Sequence, residues 1–156
     1  MKRDCGLWGH KLRGHGFKCT LGRELILEVL ELNDGHLSPE EIFSKVKDDH
    51  PEIGLTSVYR TLEILNNLGM VIKLDIGDGR ARYELSESHS KKCHHHHLVC
   101  SSCKKIIDYD DFAEEEKEYL YKIEKSLEKK HNFKINYHVI QFFGKCITCE
   151  NKEKTI

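Results

Sequence analysis

The sequence predicts an α+β protein in two parts: an N-terminal winged helix-turn-helix domain over residues 1–87, then a small C-terminal α/β domain over 88–156 held by a four-cysteine zinc site. Three observations carry that expectation. Residues 21–68 hold three helical hydrophobic patterns, and 72–85 hold two alternating runs around Gly77-Asp78-Gly79. Helices followed by a glycine-turned hairpin are the pattern of a winged helix. Two Cys-x-x-Cys pairs, Cys100/Cys103 and Cys146/Cys149, flank a folded-looking segment. Lastly, His94-His95-His96-His97 opens an alternating strand pattern ahead of the first pair.

The elements follow in order. Residues 21–32 read as a helix with Leu25, Val29 and Leu32 on one stripe, ended by Asn33-Asp34-Gly35. Ser38-Pro39-Glu40-Glu41 starts a second helix, with serine as N-cap, proline in the first turn and glutamate closing a capping box. Ile42, Phe43 and Val46 form its buried face, and Pro51 stops it. A third helix runs from Thr56 to about Leu68, with Val58, Leu62 and Leu65 inward and Thr56, Arg60, Glu63 and Asn67 outward. The hairpin presents Ile72, Leu74 and Ile76 on one strand and Ala81, Tyr83 and Leu85 on the other. Residues 86–92 lack an apolar anchor and read as a hinge. Beyond it come strands at 95–100 and 106–109, a long charged helix from Asp111 to about Lys130, and a third strand from Phe133 through Phe143.

Composition limits the function classes. The chain has 156 residues, 33% charged and 38% hydrophobic, with a formal net charge of -1. No apolar run reaches the ~18–20 residues of a membrane span, and the start shows no secretion signal, so a cytoplasmic, reducing setting is expected. Near-neutral charge excludes a uniformly basic coat for nucleic acid. Residues 1–23 are nevertheless basic, with Lys2, Arg3, Lys11, Arg13, Lys18 and Arg23 against Asp4.

Seven cysteines and eleven histidines form a metal-ligand inventory. In a reducing setting, paired Cys-x-x-Cys knuckles suit tetrahedral zinc better than disulfides. Zinc would clip together a domain too small to be stable on its core alone. Cys5 and Cys19 read as free thiols. On a strand, His95 and His97 share one face and His94 and His96 the other, so one strand can serve two metal sites. Imidazole with carboxylate suits Fe(II), Mn(II), Zn(II) or Ni(II) rather than Mg or Ca. His36, Glu84, His95, His97 and Asp108 are the candidate donors for a site joining the two halves.

The third helix offers Thr56, Ser57, Tyr59 and Arg60 at its N-terminal end, where a helix-turn-helix meets the major groove. Arginine pairs with guanine, tyrosine touches thymine methyls, and Ser/Thr serve bases or phosphates. Lys18 and the basic N-terminal stretch would reach phosphates. An enzyme is not expected: His50-Pro51-Glu52 with Cys100/Cys103 echoes a zinc deaminase, but Val99 stands where that motif needs proline. A metal-storage protein would explain the histidines and leave the Tyr59-Arg60 helix without a role.

Gly54-Leu55-Thr56-Ser57-Val58-Tyr59-Arg60-Thr61-Leu62, Ala81-Arg82-Tyr83-Glu84-Leu85, the run from His94 to Cys103 and the Cys146/Cys149 pair together resemble the Fur family of metal-responsive transcriptional regulators, over about residues 15–150. The resemblance implies a homodimer on palindromic A/T-rich double-stranded DNA, so that the C-terminal part is a dimerisation domain. It implies structural Zn(II) at Cys100, Cys103, Cys146 and Cys149, and a regulatory metal at His36, Glu84, His95, His97 and Asp108. His94, His96 and His138 match part of a further site whose usual glutamate has no clear counterpart, with Glu118 or Glu124 as substitutes. The all-N/O donor set favours Fe(II) or Mn(II), hence an iron-responsive repressor. Asp108 resembles peroxide-sensing members, making oxidation of His36 or His95 the alternative. Cys93 is the one feature that tilts toward zinc sensing.

Overall fold

The structure is a computed structural model, and it describes residues 6–33, 35–86, 95–111 and 113–153. Cys5, Cys93, His94 and the expected hinge from residue 87 onward lie outside the described residues. The fold forms two compact units: Met1–Asp75 with Gly79–Ser90, and Ile76–Asp78 with Lys91–Ile156.

The first unit contains α1 (Gly6–Gly14), α2 (Leu21–Leu32), α3 (Pro39–Lys47), α4 (Leu55–Asn67), β1 (Val71–Asp75) and β2 (Ala81–Leu85). Helices α2 to α4 and the antiparallel β1–β2 hairpin make the winged helix-turn-helix. Local chemistry sets the boundaries. Thr20 caps α2, and Ser38 with Glu41 forms the capping box of α3 behind Pro39. Helix α4 ends at Gly69, whose φ of +66° lets Met70 N–H reach Leu65 O and Gly69 N–H reach Asn66 O. The core joins Ile26, Leu27, Leu30, Ile42, Val46, Val58, Leu62, Leu65 and Val71 with Trp8 and Leu12 of α1.

Two features of this unit differ from expectation. Helix α1 lies in what the sequence presents as a basic stretch; its glycines lower helix propensity, and among its described side chains Trp8 and Leu12 are the buried apolar ones. In α2 the buried stripe is Ile26, Leu27 and Leu30, while Leu32 is 83% exposed. At 100° per residue Leu32 lies only about 40° from Glu28 while Ile26 and Leu30 lie about 160° from it, but Leu27 lies about 40° from Glu31 and is buried, so charge spacing alone does not mark the stripe.

The second unit contains β3 (His96–Cys100), β4 (Ile106–Tyr109), α5 (Ala113–His131), β5 (Gln141–Gly144) and α6 (Ile147–Glu153). The sheet order is β4-β3-β5, with β3–β4 antiparallel and β3–β5 parallel. Helix α5 ends in a left-handed Asn132, with Phe133 N–H on Glu128 O. Of the expected strand 133–143 only Gln141–Gly144 forms, because among the described residues 133–140 find no ladder partner beyond the His97 N–H to Ile140 O bond. From β3 onward, Val99 and Cys100 are the buried apolar side chains among the described residues. Leu98, Ile107, Phe133, Phe142 and Phe143 are exposed.

Candidate metal centres and DNA-reading face

Strand register assembles the cysteine cluster. Cys100 ends β3 opposite Gly144 of β5, and Ser101 N–H bonds Gly144 O at 2.7 Å. Cys146 therefore emerges two residues beyond the pairing, beside Cys100. All four sulfurs lie within 4.8 Å of one another, and Cys103 Sγ is 3.8 Å from Cys146 Sγ. A tetrahedron with Zn–S of about 2.3 Å has S···S edges of about 3.8 Å, so the cluster has zinc dimensions. Cys100 Sγ accepts N–H bonds from Cys103 at 3.5 Å and Cys146 at 3.4 Å. These bonds pull the Cys100 thiol down to about 6. Hydrogen bonding to Cys146 and Cys103 pushes the Cys149 thiol up to about 12. All four are free of disulfides.

Cys19, expected as a free thiol, is disulfide-bonded. A reducing compartment was the reason for that expectation, and no local sequence signal contradicts it.

The five regulatory candidates fall into two sets, each placed by backbone pairing. In the first unit, Leu37 bridges Tyr83 outside the hairpin, with N–H···O bonds of 3.1 and 2.8 Å. The neighbours His36 and Glu84 are thereby brought together, with His36 Nε2 3.2 Å from Glu84 Oε2 and both side chains buried. In the second unit, His97 pairs in register with Asp108, and Nε2 lies 3.8 Å from Oδ1. The His95 and His97 rings are 5.1 Å apart.

On the other face of β3, buried His96 turns its Nε2 to Glu116 Oε2 of α5 at 2.8 Å. His138 Nδ1 lies 2.7 Å from Glu124 Oε1, and the His96 and His138 ring centres are 6.2 Å apart. Of the two glutamates considered as substitutes, Glu124 faces this group, whereas Glu118 pairs with Lys122 at 2.7 Å. Glu116 was missed because it sits in the run Glu114-Glu115-Glu116, where the sequence cannot single out one acid.

On α4, Thr56, Ser57, Tyr59 and Arg60 are all exposed, opposite buried Val58 and Leu62. Thr56, Tyr59, Arg60, Glu63, Asn66, Asn67, Lys73 and Tyr83 line a polar depression between helix and hairpin. Lys18 is exposed, and its carbonyl accepts from Arg23 Nη1 at 2.5 Å.

The sequence pattern of the ferric uptake regulator family matches residues 14–143. The ferric uptake regulation protein of Bacillus subtilis (strain 168) is 40% identical over 144 residues, 92% of each chain. That of Escherichia coli (strain K12) is 32% identical over 91% of this chain and 90% of the relative. Among solved structures, the Helicobacter pylori ferric uptake regulator, described as having three functional metal binding sites, is 29% identical. Its TM-score is 0.66, over 90% of this chain and 87% of that one. The Vibrio cholerae regulator is 35% identical with TM-score 0.61, over 88% of this chain and 98% of that one. With the winged helix, the thiol cluster and the imidazole–carboxylate groups in place, these matches settle the lineage: the chain belongs to the ferric uptake regulator family of metal-responsive transcriptional regulators.

Proposed function

We propose that the chain is an Fe(II)-responsive repressor that binds palindromic A/T-rich operators as a homodimer. The observation carrying this is the donor chemistry. His36 with Glu84 in one unit, and His95, His97 and Asp108 in the other, offer only nitrogen and oxygen atoms. When bound, Fe(II) or Mn(II) is the ion class such borderline-to-hard donors prefer. Zn(II) belongs to the four thiolates of Cys100, Cys103, Cys146 and Cys149.

Ligands drawn from both units make metal binding favour one arrangement of the reading helices, a shift of population. A preference of ~5.5 kcal/mol moves an equilibrium from 1:99 to 99:1. The exposed Thr56, Ser57, Tyr59 and Arg60 of α4 then meet base edges, and Lys18 meets phosphate. His96 pairs with Glu116 and His138 with Glu124, and together with His94 these are the donors we assign to a further ion. Leu98, Ile107, Phe142 and Phe143, exposed on the second unit, supply apolar surface that a partner copy would bury.

The test compares operator binding of the wild type and His97→Ala, both zinc-loaded, with and without Mn(II). The variant should keep its zinc and lose the metal response. A variant that still binds DNA only when Mn(II) is added would defeat the assignment. Peroxide sensing remains the second reading because Asp108, rather than glutamate, stands opposite His97. Mass spectrometry of the Fe(II) form after peroxide would show added oxygen on His36 or His95, and unmodified histidines would remove it.

A further inference from the structure

Glu40 and Tyr59 are joined across two helices. The Tyr59 hydroxyl donates to Glu40 Oε1 at 2.5 Å, a length typical of a charge-assisted bond to a carboxylate. Glu40 lies in the first turn of α3, where the helix dipole favours negative charge. The Tyr59 bond holds its carboxyl below the usual range, and Arg80 of the β1–β2 turn adds a smaller attraction. Tyr59 is 46% exposed, so burial does not fix this ring; the bond at its tip does.

A phenol has one proton to give. Given to Glu40, it is not available to a base acceptor such as thymine O4 or adenine N7. What Tyr59 still presents outward is the acceptor side of its oxygen and its apolar ring, and the ring's partner in the major groove is the thymine methyl. A carboxylate beside a DNA-reading helix also repels phosphate. We infer that Glu40 is a positioning and specificity residue for DNA recognition: it captures the Tyr59 hydroxyl so that the ring reads the thymine 5-methyl group instead of a base acceptor. The inference rests on α4 being the DNA-reading helix.

The experiment is fluorescence anisotropy of the full-length, zinc-loaded protein with Mn(II). The probes are a palindromic A/T-rich duplex and copies in which single thymines are replaced by deoxyuridine, which lacks the methyl group. The wild type should lose about fourfold at the contacted thymine, the ~0.8 kcal/mol of one buried carbon. Glu40→Ala should level that ratio. Glu40→Gln, equally uncharged but still offering an acceptor oxygen, should restore most of it. The two variants share any gain from removing charge, so their difference isolates the hydrogen bond. Tyr59→Phe should match Glu40→Ala, and the double variant should be no worse than either. A Glu40→Ala protein that keeps the fourfold ratio overturns the inference, as does Tyr59→Phe weakening binding while Glu40→Ala does not. Tyr59→Ala separates the two levels. If it binds every duplex as the wild type does, the α4 reading falls too. If it binds weakly while Glu40→Ala discriminates normally, only the role of Glu40 falls.

Discussion

Replacing Cys103 by serine removes one thiolate from a cluster whose sulfurs all lie within 4.8 Å of one another. The consequence follows from how little else holds the second unit together. From β3 onward its buried apolar side chains, among the described residues, are Val99 and Cys100. A buried aliphatic side chain contributes about 1.5–3 kcal/mol, whereas a structural zinc contributes about 10–16 kcal/mol. A whole domain has a net stability of only ~5–15 kcal/mol, so loss of the metal exceeds what remains. The first unit should survive, because its core from Trp8 to Leu85 is contiguous and needs no metal. The single tryptophan, Trp8, reports that unit alone, while Tyr109, Tyr119, Tyr121 and Tyr137 report the other. Cys103→Ser should keep the native tryptophan emission and its melting transition. It should lose the share of tyrosine near-ultraviolet circular dichroism that comes from the second unit, keep that of Tyr59 and Tyr83 in the first, and become cleavable throughout residues 95–153. A zinc-free variant with native tyrosine signals and an intact, protease-resistant second unit would refute the reasoning.

Three further outcomes are expected. Zinc uptake by stripped protein at neutral pH should release protons, because thiols not yet bound to metal, with an ordinary pKa of about 8.5, are mostly protonated there and must bind as thiolates. Apparent affinity then rises about tenfold per pH unit per proton released, and calorimetry in buffers of different ionisation enthalpy reads the count; no release would contradict the cluster chemistry. Leu62→Ala should cost the first unit about 2–5 kcal/mol, since Leu62 is fully buried on the inner face of α4; denaturation followed by Trp8 fluorescence measures it, and a loss below about 1 kcal/mol would place the core elsewhere. Glu116→Gln should lower uptake of metal beyond the four-thiolate zinc, because it removes the carboxylate 2.8 Å from His96; unchanged metal stoichiometry would make that pair structural only.

What the sequence could disclose was local. The capping box at Ser38, the end of the third helix near Leu68, the two-residue alternation of the hairpin and the Cys-x-x-Cys spacing are written in adjacent residues. The structure returns them as read. Distant pairing was not legible. No residue near His36 announces that Leu37 will bridge Tyr83, yet that bridge sets His36 beside Glu84. The parallel pairing of β3 with β5, which joins the cysteine knuckles, crosses the whole of α5. Glu116 was hidden among like charges, and residues 133–140 alternate as a strand would but have no strand partner among the described residues along most of their length. Helix α1 shows the opposite failure: weak local propensity was overridden by the burial of Trp8 and Leu12.

The central claim is that nitrogen and oxygen donors at His36, Glu84, His95, His97 and Asp108 make DNA binding respond to Fe(II) or Mn(II). The most direct measurement is anaerobic fluorescence anisotropy on a palindromic A/T-rich duplex, titrating Fe(II), Mn(II) and Zn(II) separately into protein whose four-cysteine site already holds zinc. The account predicts tight binding with Fe(II) or Mn(II) and little with further Zn(II). Binding driven by Zn(II) alone, or binding indifferent to any added metal, would contradict it.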